Sequence, residues 1–292
     1  MTLAASADGV SALGGAAVVA VVLGSALLHA SWNALAHAAR DRVAATALRG
    51  LSYVLLGVAP LFLAPTPARA AWPFIAVSSV LETAYSYGLV IAYRYGDFSR
   101  AYPLARGTSP LVVTLFATSI IGQHASAFEL LGIAIVCGGL LVLSFAEGLP
   151  RRADLAAVSA AIGTGCVIAS YTIVDGVGVR RSGTVIGYAA WTFFLQGILI
   201  LLVAAALRRR TLPALFTDVP RSLFGGAVSV LAYGLVLWAQ TRGTLAAVAT
   251  LRETSILIGC VIGTAVFHER FGRTRLLASL GVVAGILLIS RS

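Results

Sequence analysis

Long apolar runs, separated by short polar connections, make up almost the whole chain. Each run approaches or exceeds the roughly 20 residues that a helix needs to cross a bilayer. None shows the period-two alternation of polar and apolar residues that is typical of membrane β-barrel strands. The pattern therefore predicts an all-α membrane protein with ten transmembrane helices. The predicted spans lie at about 13–37, 43–64, 71–94, 99–121, 127–147, 154–177, 184–207, 219–241, 244–267 and 274–291.

The composition excludes an ordinary soluble domain. Hydrophobic residues make up 59% of the 292 residues and charged residues only 11%, whereas roughly a quarter of the residues of a soluble domain are charged. A soluble fold of this length has a large surface to cover with polar groups, and this chain does not supply them.

The charge pattern predicts the orientation in the membrane. Every basic side chain is arginine, and the net charge is +10. The arginines lie in short groups, such as Arg208-Arg209-Arg210, without the interleaved aromatic residues of a nucleic-acid site. They concentrate in the odd-numbered connections. Because cytoplasmic loops carry the excess of basic residues, we expect the odd connections in the cytoplasm and both termini outside.

No motif for catalysis or metal binding stands out. A chain without lysine cannot supply the lysine of a phosphate-binding loop, and neither His-Glu-x-x-His nor Gly-x-Ser-x-Gly occurs. The three cysteines lie inside apolar runs without paired spacing. We therefore expect no cofactor, no metal site and no enzymatic activity.

An internal repeat divides the chain into two halves. A shift of 146 residues (252 − 106) places Arg106-x-Thr108-Ser109 on Arg252-x-Thr254-Ser255, and the Tyr-Gly-Leu-Val at 87–90 on that at 233–236. The predicted units are 13–147, with spans one to five, and 154–291, with spans six to ten. Because each unit has an odd number of spans, the second must enter the membrane with the opposite orientation, as in many secondary transporters.

The charged residues Glu82, Arg106, Arg252 and Glu253 lie inside predicted spans. Each would cost roughly 2.5–3.5 kcal/mol if it faced lipid at mid-bilayer, so we expect them to face the interior. Arg106 and Arg252 hold equivalent places in the two units and suit a carboxylate, phosphate or phosphonate ligand. The alternative is that both only pair with Glu82, Asp175 or Glu253, or extend to the interface.

The acidic residues have two open interpretations. Glu82 can carry a coupling proton, as intramembrane carboxyl groups do in pumps and transporters, or can partner an arginine. Glu253 can be neutralised by its neighbour Arg252. Asp175, near the end of span six, fits an interfacial position.

A polar and aromatic face in span one is a second candidate for substrate contact. His29, Trp32, Asn33 and His37 have the spacing of one helical face, and such a face in a membrane helix usually points inward. Whether it contacts substrate or only neighbouring helices stays open. Three tyrosines complete the candidate site: Tyr171 as the counterpart of Trp32, Tyr102 on the Arg106 face, and Tyr233 in span eight.

These segments together resemble the EamA family of the drug/metabolite transporter superfamily. The resemblance rests on the His-Ala-Ser-Trp-Asn at 29–33, the segment at 96–107 and the two Arg-x-Thr-Ser segments. It implies two five-helix EamA repeats, with spans one, three, four, six, eight and nine around a central cavity and spans five and ten at the periphery. Members of the family export amino acids, other metabolites or drugs.

The leading hypothesis is a multi-pass secondary transporter in the inner membrane, an exporter of a small anionic or zwitterionic metabolite that works by alternating access. Its expected partners are a small-molecule substrate and membrane lipid, with no nucleic acid. The hypothesis also allows proton coupling and a homodimer. Two other classes stay open. One is an intramembrane enzyme that acts on a lipid-linked substrate through His29 and Glu82, and the other is a non-transporting scaffold subunit.

Overall fold

The protein is all-helical in a computed structural model that describes residues 4–37, 41–95, 98–144, 155–207, 219–258 and 273–290. No β-strand occurs in these ranges. The α-helices are α1 (Ala4–His37), α2 (Arg42–Leu63), α3 (Trp72–Tyr95), α4 (Phe98–Ser119), α5 (Ala127–Ser144), α6 (Leu155–Ser182), α7 (Val185–Leu207), α8 (Val219–Gln240), α9 (Leu245–Arg252) and α10 (Arg273–Ile289). A short 3₁₀ helix, Arg69–Ala71, precedes α3.

Most helix ends agree closely with the apolar runs, and two helices are longer than predicted. The first helix begins at Ala4 rather than near 13, and α6 continues to Ser182 rather than ending near 177. The ninth span differs most, because α9 ends at Arg252, a turn follows at Glu253, and helical backbone resumes at Thr254.

Side-chain caps and glycine turns explain several of the boundaries. Asp41 accepts hydrogen bonds from the backbone N–H groups of Val43 and Ala44 at the start of α2, and Thr244 caps α9 in the same way. Gly122 and Gly183, each at φ 73°, make the turns after α4 and α6 in a backbone region that glycine adopts without strain.

Within the described residues, six helices are long and apolar enough to cross a membrane: α1, α2, α5, α6, α7 and α8. The helices α3, α4 and α9 are not among them, and they carry Glu82, Arg106 and Arg252. Large apolar side chains such as Phe62 and Leu63 lie exposed on the outer surface. The molecule therefore has an apolar exterior and buried charges, which is the arrangement that a bilayer requires.

Two helix pairs pack closely through glycine and run antiparallel. A Cβ at Gly132 in α5 would lie 2.6 Å from the carbonyl oxygen of Gly285 in α10, and one at Gly139 would lie 3.0 Å from that of Ala278. The order of contact reverses along the two helices, so their directions are opposite. Small residues at such contacts let membrane helices approach closely.

The same arrangement joins α2 and α7. A Cβ at Gly197 would lie 2.6 Å from the carbonyl oxygen of Gly50, and one at Gly57 would lie 3.1 Å from that of Ala190. Among the other helices, α1 packs against α8 and α9, and α6 packs against α3 and α4. These six helices surround the buried charges.

Candidate functional site

Arg106 is fully buried, with 0% of its surface exposed, and it joins α4 to the segment after α9. Its Nε lies 2.9 Å from Oε2 of Glu253, and its Nη2 donates a hydrogen bond of 2.7 Å to Oγ of Ser255. Arg106 therefore pairs with Glu253, which is one of the alternatives that the sequence left open. The sequence had suggested that Glu253 is neutralised by its neighbour Arg252, but its ion-pair partner is the arginine of the other unit.

The backbone turn in span nine accompanies this ion pair. The N–H of Glu253 bonds to the carbonyl of Thr250, and the N–H of Ile256 bonds to the carbonyl of Glu253, both at 3.0 Å. These are three-residue steps, which tighten the helix locally. In α4 the equivalent position is Gly107, and that helix continues without a break. Only one of the two units thus supplies a carboxylate next to its arginine.

Arg252 is also buried, at 3% exposure, but its surroundings are different. Its Nη2 donates to the hydroxyl of Tyr171 at 3.2 Å, and its guanidinium lies 5.7 and 5.8 Å from the ring centroids of Tyr171 and Tyr233. Cations are attracted to aromatic faces at such distances. In the part of the chain that the structure describes, no carboxylate forms an ion pair with Arg252, and its Nε has no hydrogen-bond partner.

Two further carboxyl groups lie beside Arg252. Asp175 accepts hydrogen bonds from Tyr233, at 2.5 Å on Oδ2, and from Tyr188, at 2.9 Å on Oδ1. Glu82 is buried, at 5% exposure, within electrostatic reach of Asp175 and Arg252. Asp175 is fully buried in the helix packing, with 0% of its surface exposed, and its interfacial position stays a prediction.

The polar face of span one lies next to these charges. The indole N–H of Trp32 donates to Nδ1 of His29 at 3.3 Å, and the guanidinium of Arg49 lies 4.9 Å from the centre of the Trp32 ring system. The side-chain amide of Asn33 donates to the carbonyl of His29 at 2.8 Å, within its own helix. The side chains of His37 and Tyr102 lie outside the described residues.

Several polar atoms at the centre are buried without a protein partner. They include Nε2 of His29, the hydroxyl of Tyr85, Nε of Arg252 and Oε1 of Glu253. His29 and Tyr85 both lie within electrostatic reach of Arg106 and Arg252. Buried polar groups almost always have a partner, so a cluster of such atoms indicates a place where a polar ligand or water binds.

Sequence reasoning missed Arg49, although the signal was present. Arg49 is a charged residue inside the apolar run at 43–64, and it therefore satisfies the criterion that identified Glu82. Tyr188 could not be found in this way, because buried tyrosines are common in helices of every kind.

Comparison with protein families points to the class of the molecule. Residues 155–291, the second of the two predicted units, match the model of the EamA-like transporter family. This match confirms the resemblance drawn from the sequence, and together with the long apolar helices it supports a membrane transporter.

The comparison of folds agrees with this assignment at the level of architecture. A solved structure, described only as the crystal structure of a protein, is similar over 94% of this chain and 98% of its own, with a TM-score of 0.76 and 16% sequence identity. A likeness at this identity concerns the fold alone. No curated protein matches the chain.

Proposed function

We propose that this protein is a secondary transporter of the EamA family, an exporter of a small anionic or zwitterionic metabolite across the inner membrane. In this proposal it has ten transmembrane helices in two inverted five-helix repeats, at 13–147 and 154–291. It works by alternating access, and the substrate is released chemically unchanged.

The helix packing supports the two inverted repeats. When each helix of one unit is exchanged for its counterpart five places along the chain, the contacts of α1 with α8 and α9 become those of α6 with α3 and α4. The same exchange turns the contact of Gly132 with Gly285 into that of Ala278 with Gly139. The opposite directions of α5 and α10 agree with the inversion that a five-helix unit imposes.

One observation carries the proposed substrate class: Arg252 is a buried cation without an ion-pair partner among the described residues. Arg106 is already neutralised by Glu253 at 2.9 Å, whereas the hydrogen bond and ring contacts of Arg252 are to Tyr171 and Tyr233. A buried guanidinium in such surroundings favours the binding of an anion that balances its charge and accepts its remaining hydrogen bond. We therefore assign the anionic group of the substrate to Arg252 and a structural role to Arg106, with the remaining contacts from His29, Trp32, Asn33, Tyr102, Tyr171 and Tyr233.

Contacts at one end of the helices support a conformation that is shut on that side. Arg180 donates to the carbonyl oxygens of Gln240 and Gly243 at 2.8 and 2.7 Å, and the N–H of Leu245 bonds to the side chain of Gln123 at 3.1 Å. All lie on the side of the even-numbered loops. The bonds of Arg180 join two connections of the second unit, and the bond of Leu245 to Gln123 joins the second unit to the first. In this proposal the bond between the units breaks when the site opens to that side.

A binding measurement tests the assignment of Arg252. Purified protein would be screened by thermal shift against small carboxylates, phosphates and amino acids, since a ligand that binds only the folded state raises its stability. We expect Arg252→Ala to weaken the binding of any hit at least about tenfold, because it removes a charge-assisted hydrogen bond, and Arg252→Lys to retain part of it.

The matched control is Arg242→Ala, which removes an exposed arginine that lies 5.6 Å from the ring of Trp238, outside the buried cluster. It should leave the affinity for the hit unchanged. Equal affinity in wild type and Arg252→Ala would contradict the assignment, and a hit that is cationic and carries no anionic group would contradict the proposed substrate class.

A further inference from the structure

Arg49 in α2 is a further cation within the helix packing, and no carboxylate forms an ion pair with it among the described residues. Its guanidinium lies 4.9 Å from the centre of the Trp32 ring system, and its Nε is buried without a hydrogen-bond partner. The attraction of a cation to an aromatic face leaves its charge unneutralised. Arg49 therefore keeps hydrogen-bond donors for an anionic group.

His29 offers a second unused donor beside the same indole. The indole N–H of Trp32 donates to Nδ1 of His29 at 3.3 Å, and the two rings meet edge to face with their centroids 5.2 Å apart. Because Nδ1 accepts this bond, the hydrogen of the neutral imidazole lies on Nε2. That atom is buried and has no partner. Since buried donors almost always have an acceptor, Arg49 and His29 mark a place beside Trp32 where an acceptor group binds.

Helix α8 relates this place to Arg252. A Cβ at Gly226 in α8 would lie 3.4 Å from the Cα of Arg49, and the ring centroid of Tyr233 in α8 lies 5.8 Å from the guanidinium of Arg252. Gly226 and Tyr233 are seven residues apart (233 − 226), so they lie on the same face of α8, roughly 10 Å apart along its axis. The helix that carries His29, α1, packs against α8 as well. The two cations therefore belong to the same side of α8, about two helical turns apart.

Two cations without ion pairs favour a ligand with two acidic groups. A ligand with one acidic group balances the charge of Arg252 and leaves Arg49 and His29 without an acceptor. A dicarboxylate, or a carboxylate that also carries a phosphate, supplies an acceptor to both places. Two long arginine side chains can hold the ends of such a small molecule across roughly two helical turns.

We propose that Arg49 and the Nε2–H of His29 bind a second acidic group of the substrate, whose first acidic group binds Arg252. Arg49 supplies the charge, His29 supplies a neutral donor, and Trp32 holds both side chains in place. No covalent bond is made or broken. This substrate class rests on the proposed function, because the same molecule occupies Arg252.

Tryptophan fluorescence of the purified protein in non-ionic detergent tests this site, because Trp32 contacts both donors. The probes are unbranched dicarboxylates from malonate to adipate, each compared at constant ionic strength with the monocarboxylate of the same chain length. In wild type, at least one dicarboxylate should bind at least about tenfold more tightly than its monocarboxylate, because it makes a second set of charge-assisted hydrogen bonds. The change in fluorescence should be lost in Trp32→Phe.

Arg49→Gln should reduce this preference to about threefold or less, and Arg49→Lys should retain part of it. Arg242→Gln is the matched control, because Arg242 also lies over a tryptophan ring, that of Trp238 at 5.6 Å, but is exposed. It should leave the preference unchanged. If Arg49→Gln does not fold, His29→Phe provides a second readout, since it keeps an aromatic ring without the Nε2–H donor and should weaken dicarboxylate binding about threefold or more.

A preference for dicarboxylates that survives Arg49→Gln would overturn the second site, as would the absence of any such preference in wild type. Loss of the preference in Arg49→Gln but not in Arg252→Gln would leave Arg49 and His29 as an anion site and contradict the assignment of Arg252. The reverse result would contradict only the site proposed at Arg49.

Discussion

At the scale of single residues, two arginines in equivalent positions have different environments. Arg106 and Arg252 occupy the same place in the repeat, but Glu253 has no counterpart in the first unit, where the residue is Gly107. One arginine consequently forms an ion pair with Glu253, and the other contacts Tyr171 and Tyr233. On this asymmetry we propose a structural role for Arg106 and ligand binding for Arg252.

The ion pair predicts a large stability effect. Glu253→Gln should destabilise the protein by about 3–5 kcal/mol, because it leaves the buried charge of Arg106 without its carboxylate. Unfolding by denaturing detergent in mixed micelles would measure this change in the free energy of unfolding.

The double variant Arg106→Met with Glu253→Leu is the control for that measurement, since it removes both charges together. It should be more stable than either single variant. Additive losses from the two single variants would contradict an energetic role for the pair.

The sequence indicated which charges are buried but not which of them pair. Glu82, Arg106, Arg252 and Glu253 stood out because a charge inside an apolar run must face the interior. The choice of partner depends on how the second unit lies against the first, and no local pattern encodes that. The pairing of Arg106 with Glu253, rather than of Glu253 with its neighbour, is a product of the tertiary packing.

At the scale of helices, position and type could be predicted well, because burial in lipid imposes a minimum apolar length. The interruption of span nine at Glu253 could not. Neither glycine nor proline marks it, and the apolar run continues through it. The break coincides with the contacts of Glu253 and Ser255 to Arg106, which lies on another helix.

The close contact between α5 and α10 predicts opposite effects of the same substitution at two glycines. Gly132→Ala should destabilise by about 1–3 kcal/mol, because its Cβ would lie 2.6 Å from the carbonyl oxygen of Gly285. Gly138→Ala, six residues later in the same helix, meets nothing within 4 Å and should be neutral or stabilising by up to about 1 kcal/mol.

The two variants would be compared by thermal unfolding in detergent. Their difference reports the helix contact, since both make the same chemical change in the same helix. Equal melting temperatures would contradict the packing of α5 against α10.

At the scale of the whole molecule, the fold brings the charges of both units to one place. Glu82 and Arg106 come from the first unit, and Asp175, Arg252 and Glu253 come from the second. The internal repeat predicted this meeting, since equivalent helices of an inverted pair approach one another near the midplane. A site shared between two halves is what alternating access requires, because movement of one half against the other then exposes it to either side.

Solute counterflow in proteoliposomes tests this account most directly. Vesicles loaded with an unlabelled anion from the binding screen would take up the labelled form, and mass spectrometry would check that the solute inside is chemically intact. We predict uptake by wild type, loss of at least about nine-tenths of it in Arg252→Ala, partial recovery in Arg252→Lys, and wild-type uptake in Gly138→Ala. Undiminished counterflow in Arg252→Ala, or recovery of a chemically altered solute, would contradict it.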